Sequence, residues 1–73
     1  MMQTIDARGL KCPLPVLKAE TALARLNAGD TLVILASDPV ARIDIPLLCR
    51  QQGHDCSLSQ ESDHLRFAIT KLG

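Results

Sequence analysis

Hydrophobic positions change their spacing along this chain, and each change marks a new element. Met1 to Ile5 is a short apolar start that reads as a first strand, and Asp6-Ala7-Arg8-Gly9 has the composition of a loop. From Pro15 to Leu26 the spacing becomes helical: Val16, Ala19, Leu23 and Leu26 recur on one face, with Leu17 and Ala24 alongside. Asn27-Ala28-Gly29 stops that helix, and Gly29 is the residue expected in the left-handed cap position. Thr31 to Ala36 is β-branched and aliphatic without polar interruption, the pattern of a strand covered on both sides.

Ser37-Asp38-Pro39 breaks this strand. The next region is helical in pattern but contains Pro46, which predicts a short turn over Val40 to Ile43 and then a helix from Ile45 to Gln52. Asp44 would be its N-cap and Pro46 would fall in the first turn, where proline is tolerated. Ile45, Leu48 and Cys49 would share the buried stripe, and Gly53 would end the helix. After Gly53 the period is two: His54, Cys56 and Leu58 alternate with Asp55, Ser57 and Ser59. Beyond the polar turn Glu61-Ser62-Asp63, Leu65, Phe67 and Ile69 alternate with Arg66, Ala68 and Thr70.

The order is therefore βαβαββ. A whole helix separates the first two strands, so they should run parallel through a right-handed crossover, and the last two form an antiparallel hairpin. The expected fold is an α/β (α+β) two-layer sandwich: a mixed four-stranded sheet with two helices on one face. Seventy-three residues make one domain, 1–73, with a thin core. Phe67 is the only aromatic residue, so that core is aliphatic. Eight basic and eight acidic side chains cancel. Neutral charge and the absence of Tyr and Trp argue against direct nucleic-acid binding, which draws on basic faces and stacking platforms. The longest apolar run, Leu32 to Ala36, is too short to cross a bilayer, and no secretory signal is visible, so neither a membrane partner nor export is expected. The expected location is cytoplasmic. Three cysteines cannot form a closed disulfide framework in a monomer.

The chemistry concentrates in Gly9 to Pro15, GLKCPLP. Gly9 supplies a bend, Pro13 and Pro15 suit the first turn of a helix, and Cys12 falls at or just before the helix N-terminus. Free N–H groups and the macrodipole at such a position favour an anion, which predicts a lowered thiol pKa and an exposed sulfur. Cys12 follows the first strand and Asp38-Pro39 follows the second, so both loops should meet at the carboxyl edge of the parallel strands. Arg8 and Lys11 would add positive charge there. Each feature also has a plain reading: a small thiol can pack at a helix start, and Asp38 can be a turn residue and cap. Cys49 and Cys56 read as core packing. A zinc site built from Cys49, His54 and Cys56 lacks standard ligand spacing, so no metal or cofactor is expected. His64, beside the hairpin turn, should be exposed. Without a C-x-x-C pattern, Cys12 has no local resolving thiol, and it suits a nucleophile or a covalent carrier.

The segment TIDARGLKCPLP, followed by Asp38-Pro39, Asp44-Ile45-Pro46, Gly53-His54 and the closing Phe67-Ala68-Ile69-Thr70-Lys71, resembles the TusA/SirA-like sulfur carrier family over the whole chain. The resemblance implies a βαβαββ sandwich and sulfane sulfur carried as a covalent persulfide on Cys12, with Gly9, Lys11, Pro13, Pro15 and Asp38 in support. It further implies a cysteine desulfurase as donor and a downstream sulfur-acceptor protein, in tRNA thiolation, molybdenum cofactor chemistry or sulfur oxidation. The reaction would then take place with a partner's active site rather than in a stand-alone enzyme. The Asp38-Pro39 and Asp44-Ile45-Pro46 pattern leans towards the TusA-like branch. Two rival readings are a thiol redox sensor and a small nucleic-acid-binding module.

Overall fold

The computed structural model describes residues 2–72 and has the expected element order: β1 (Met2–Ala7), α1 (Leu14–Arg25), β2 (Thr31–Ala36), α2 (Ala41–Gln52), β3 (Asp55–Gln60) and β4 (Leu65–Thr70). The sheet order is β1-β2-β4-β3. β1 pairs parallel with β2, while β4 runs antiparallel to both β2 and β3. The sheet is therefore mixed, with the hydrophobic strands β2 and β4 at its centre. Leu32, Ile34 and Ala36 of β2 join Leu65, Phe67 and Ile69 of β4 in one core with Ala19, Ala22 and Leu23 of α1 and Ala41, Ile45, Leu48 and Cys49 of α2. The alternate positions face away from the helices. There Val33 lies in register between Thr4 and Ala68 and is only 3% exposed, but Thr31 and Leu35 on the same face are half-buried. So β2 is fully covered on the helix side and only partly on the other, less than its composition predicts.

The boundaries differ from expectation where tertiary contacts outweigh local rules. Met1, included in the expected first strand, lies outside the described residues. Asp6 and Ala7, expected in a loop, continue β1, because their register partners Leu35 and Ala36 extend β2 beside them. α1 starts at Leu14 with Pro13 as N-cap and stops at Arg25, where Leu26 turns extended. Gly29 is consequently not its cap. It has a positive φ of 93° but sits in the following turn, where its N–H donates to the Lys71 carbonyl at 2.7 Å.

α2 is one continuous helix from Ala41, longer than expected at its start, with Pro46 inside it and Val40 rather than Asp44 as N-cap. The helix grows out of consecutive turns, in which Ala41 N–H donates to the Asp38 carbonyl and Arg42 N–H to that of Pro39. Proline within a helix removes a hydrogen bond and costs about 3 kcal/mol. Burial of Ala41 and Ile45 along the extended stripe offsets that loss at roughly 25 cal/mol per Å² of apolar surface. Gly53 ends α2 as expected. Its φ of 75° is left-handed, and the following His54 N–H closes back on the Cys49 carbonyl at 2.8 Å.

Candidate functional site

The β1–α1 loop carrying Cys12 and the β2–α2 loop carrying Asp38 meet at the carboxyl edge of the parallel pair. Two side chains staple them together. Ser37 Oγ accepts the Gly9 N–H at 2.8 Å, and Asp38 Oδ2 accepts the Cys12 N–H at 2.7 Å. The other Asp38 oxygen accepts the Val40 N–H at 3.0 Å, so one carboxylate both shapes the start of α2 and fixes the backbone of Cys12. These N–H groups, Cys12 first and then Val40, hold the Asp38 carboxyl below the usual carboxylate range, and Lys11 adds to the effect. Gly9, at φ 84°, makes the tight bend that a side chain would resist. The Cys12–Pro13 peptide bond is cis.

Asp44 supplies what the sequence reading missed. It projects from the first turn of α2, and the Cys12 thiol donates a hydrogen bond to its Oδ2. The contact joins residues 32 positions apart, so no local pattern carries it. The available signal was the Asp44-Ile45-Pro46 match, in which Asp44 looked like a cap for its own helix. It is not used as one, since Val40 holds that position and no side chain caps α2.

The consequence for the sulfur is the reverse of the lowered pKa expected from a helix N-terminus. The hydrogen bond to Asp44, partial burial, and the negative charges of Asp44 and then Asp38 push the Cys12 thiol up from 9.0 to about 11. The helix start offers little to oppose them. Pro13 and Pro15 have no N–H, and the Leu14 N–H is engaged by the Lys11 carbonyl at 2.9 Å. The nearby cation is also fewer than expected: Arg8 turns to Asp6, with Nε to Oδ1 at 2.9 Å and an ion pair at 2.8 Å. Cys12 is thus a half-buried, protonated thiol held in one orientation.

The remaining expected residues separate cleanly. Lys11 is exposed and its charge acts on Asp38, Pro13 is exposed at the N-cap, and Pro15 is buried in the first turn of α1. The same elements carry exposed apolar side chains, Leu14 and Leu17 on α1 with Val40, Ile43 and Leu47 on α2 and its approach, and Leu47 shares a shallow depression with Pro13 and Asp44. Cys49 is buried and Cys56 half-buried, as core packing requires, and no metal-holding cluster exists among the described residues. His64 is not the exposed residue expected. It is half-buried, with Nδ1 2.6 Å from Asp63 Oδ1. No helix among the described residues is long and apolar enough to cross a membrane.

Comparison with known proteins agrees with this layout. The family model described as sulfurtransferase TusA matches residues 3–71. Two Neisseria meningitidis proteins, from serogroups A and B and named provisionally as sulfur carriers, are each 48% identical over 61 residues, covering 84% of this chain and 82% of theirs. The crystal structure of a SirA-like protein from Desulfitobacterium hafniense superposes with a TM-score of 0.87 at 28% identity, over the full length of both chains. A family match running from β1 to the end of β4, a relative at near-half identity and a shared fold lead to one conclusion: the chain belongs to the TusA sulfurtransferase family.

Proposed function

We propose that this protein is a sulfur carrier that accepts sulfane sulfur as a persulfide on Cys12 from a cysteine desulfurase and relays it to an acceptor protein. The observation that carries this reading is the fixed presentation of one half-exposed thiol, backbone held by Asp38 and sulfur by Asp44, at the edge where the two loops meet. A carrier must meet two partners in turn, and exposed apolar residues on the elements that hold a single reacting sulfur suit docking by another protein's active site. The persulfide is covalent and redox-neutral to pass on, so the cycle needs no cofactor. The destinations of this chemistry are tRNA thiolation, molybdenum cofactor assembly or related sulfur trafficking, reached through protein partners without direct nucleic-acid contact. A redox sensor fits less well, because sensor cysteines are low in pKa and poised next to a resolving thiol, whereas Cys12 is high.

The test is intact mass after incubation with a cysteine desulfurase and cysteine. Wild type gains one sulfur that a reductant removes, and Cys12→Ser does not. No gain on a wild-type chain whose Cys12 still alkylates contradicts the proposal.

A further inference from the structure

We propose that Asp44 is the proton acceptor and donor for sulfur transfer at Cys12, a catalytic residue in direct contact with the reacting atom. The inference rests on the carrier reading and deepens it. A sulfur kept protonated is a poor nucleophile, since the thiolate is the attacking species. Asp44 Oδ2 already accepts the Cys12 thiol hydrogen, so the base stands in place before any partner arrives. The other charged groups around the pair are Asp38, whose carboxylate is committed to two backbone N–H groups, Lys11 beside it, and Glu20 of α1, which shares a shallow depression with Pro13 and Asp44. Of these, only Asp44 holds the sulfur's proton.

The step balances without oxidant or reductant. Cys12 sulfur attacks the terminal sulfur of a donor persulfide, R–S–SH, as its proton passes to Asp44. The donor's S–S bond breaks, its cysteine leaves as thiolate, and that thiolate takes the proton back, giving Cys12–S–SH and R–SH. On unloading, an acceptor thiol, R′–SH, gives its proton to the Asp44 carboxylate as it attacks the outer sulfur. The S–S bond to Cys12 breaks, and Asp44 passes that proton to the departing Cys12, giving R′–S–SH and Cys12–SH. A leaving thiol of high pKa departs slowly, so a loaded carrier keeps its sulfur until that proton is supplied. Asp44 thereby lets one group serve as base in loading and acid in unloading.

The test compares wild type, Asp44→Asn and Asp44→Glu, using glutathione persulfide as donor, intact mass as readout, and iodoacetamide alkylation of Cys12 in parallel. Loss of the carboxylate returns the thiol towards its ordinary 9.0, raising alkylation at neutral pH about tenfold once the weaker nucleophilicity is set against the larger thiolate fraction. General-base catalysis contributes about 10²–10⁴-fold, so sulfur acceptance in Asp44→Asn falls by about tenfold or more despite the freer thiolate. Wild type and Asp44→Glu accept sulfur at a rate flat across neutral pH, while Asp44→Asn climbs about tenfold per unit. Acceptance that rises together with alkylation in Asp44→Asn overturns the proposal. So does a wild-type rate that climbs tenfold per unit, a result obtainable even if the variant fails to fold. A wild type that takes no sulfur at all removes the carrier reading, and the base step with it; one that takes sulfur equally well without the carboxylate removes the base step alone.

Discussion

Two thiols in this protein are held protonated in different settings, one in the core and one at the sheet edge. Cys49 lies in the core on α2, 1% exposed, and is pushed up by its contact with the Cys56 thiol and then by burial. Cys12 lies at the sheet's open edge and is pushed up chiefly by one carboxylate that accepts its proton. Burial makes a thiol inert by removing access. A carboxylate restrains it while leaving the sulfur reachable, and the restraint lifts when the proton is moved. For a group that must wait between partners and then react, only the second device serves.

The comparison can be broken from the buried side first. Cys49→Ser places a hydroxyl in a core cluster of apolar side chains, beside Cys56, and should cost about 1–3 kcal/mol, on the order of 10 °C in thermal midpoint for a domain this small. Sulfur gain by the folded variant should be unchanged, and its loss would show that the two thiols are not independent. A finer effect separates the two carboxylates at the edge. Asp38→Asn keeps a side-chain acceptor for the Cys12 N–H but removes a charge, so Cys12 alkylation at neutral pH should rise by about twofold to threefold, as for other partly exposed charge pairs. An increase as large as that of Asp44→Asn would mean that general negative charge, rather than contact with the sulfur, sets the reactivity of Cys12.

Most of the fold was legible because its signals are local. The TLVILA run of β2, the alternation of Leu65, Phe67 and Ile69, and the glycine closing α2 each report a short-range rule that the tertiary structure obeys. The beginning of α2 was not legible. Pro46 argued for a late start, yet the turns built on Asp38 and the buried Ala41 carry the helix through the proline. The same misreading hid the site's second half, since an aspartate placed as a cap for its own helix has no reason to reach a cysteine. The position of Cys12 and its meeting with the Asp38 loop followed from strand order alone. The electrostatics did not, because they depend on which N–H groups are spent: two prolines and the Leu14–Lys11 bond remove three of the donors that a generic N-terminus would offer.

The most direct test of this account is the rate of Cys12 alkylation in the wild-type protein as a function of pH, followed at that residue by peptide mapping. A thiol whose pKa is raised stays protonated further into alkali, so the rate should keep climbing past 9.0 and level only near about 11. A curve that levels at or below 9.0 would mean that Asp44 does not hold the proton, and that the helix N-terminus, not the carboxylate, governs the sulfur.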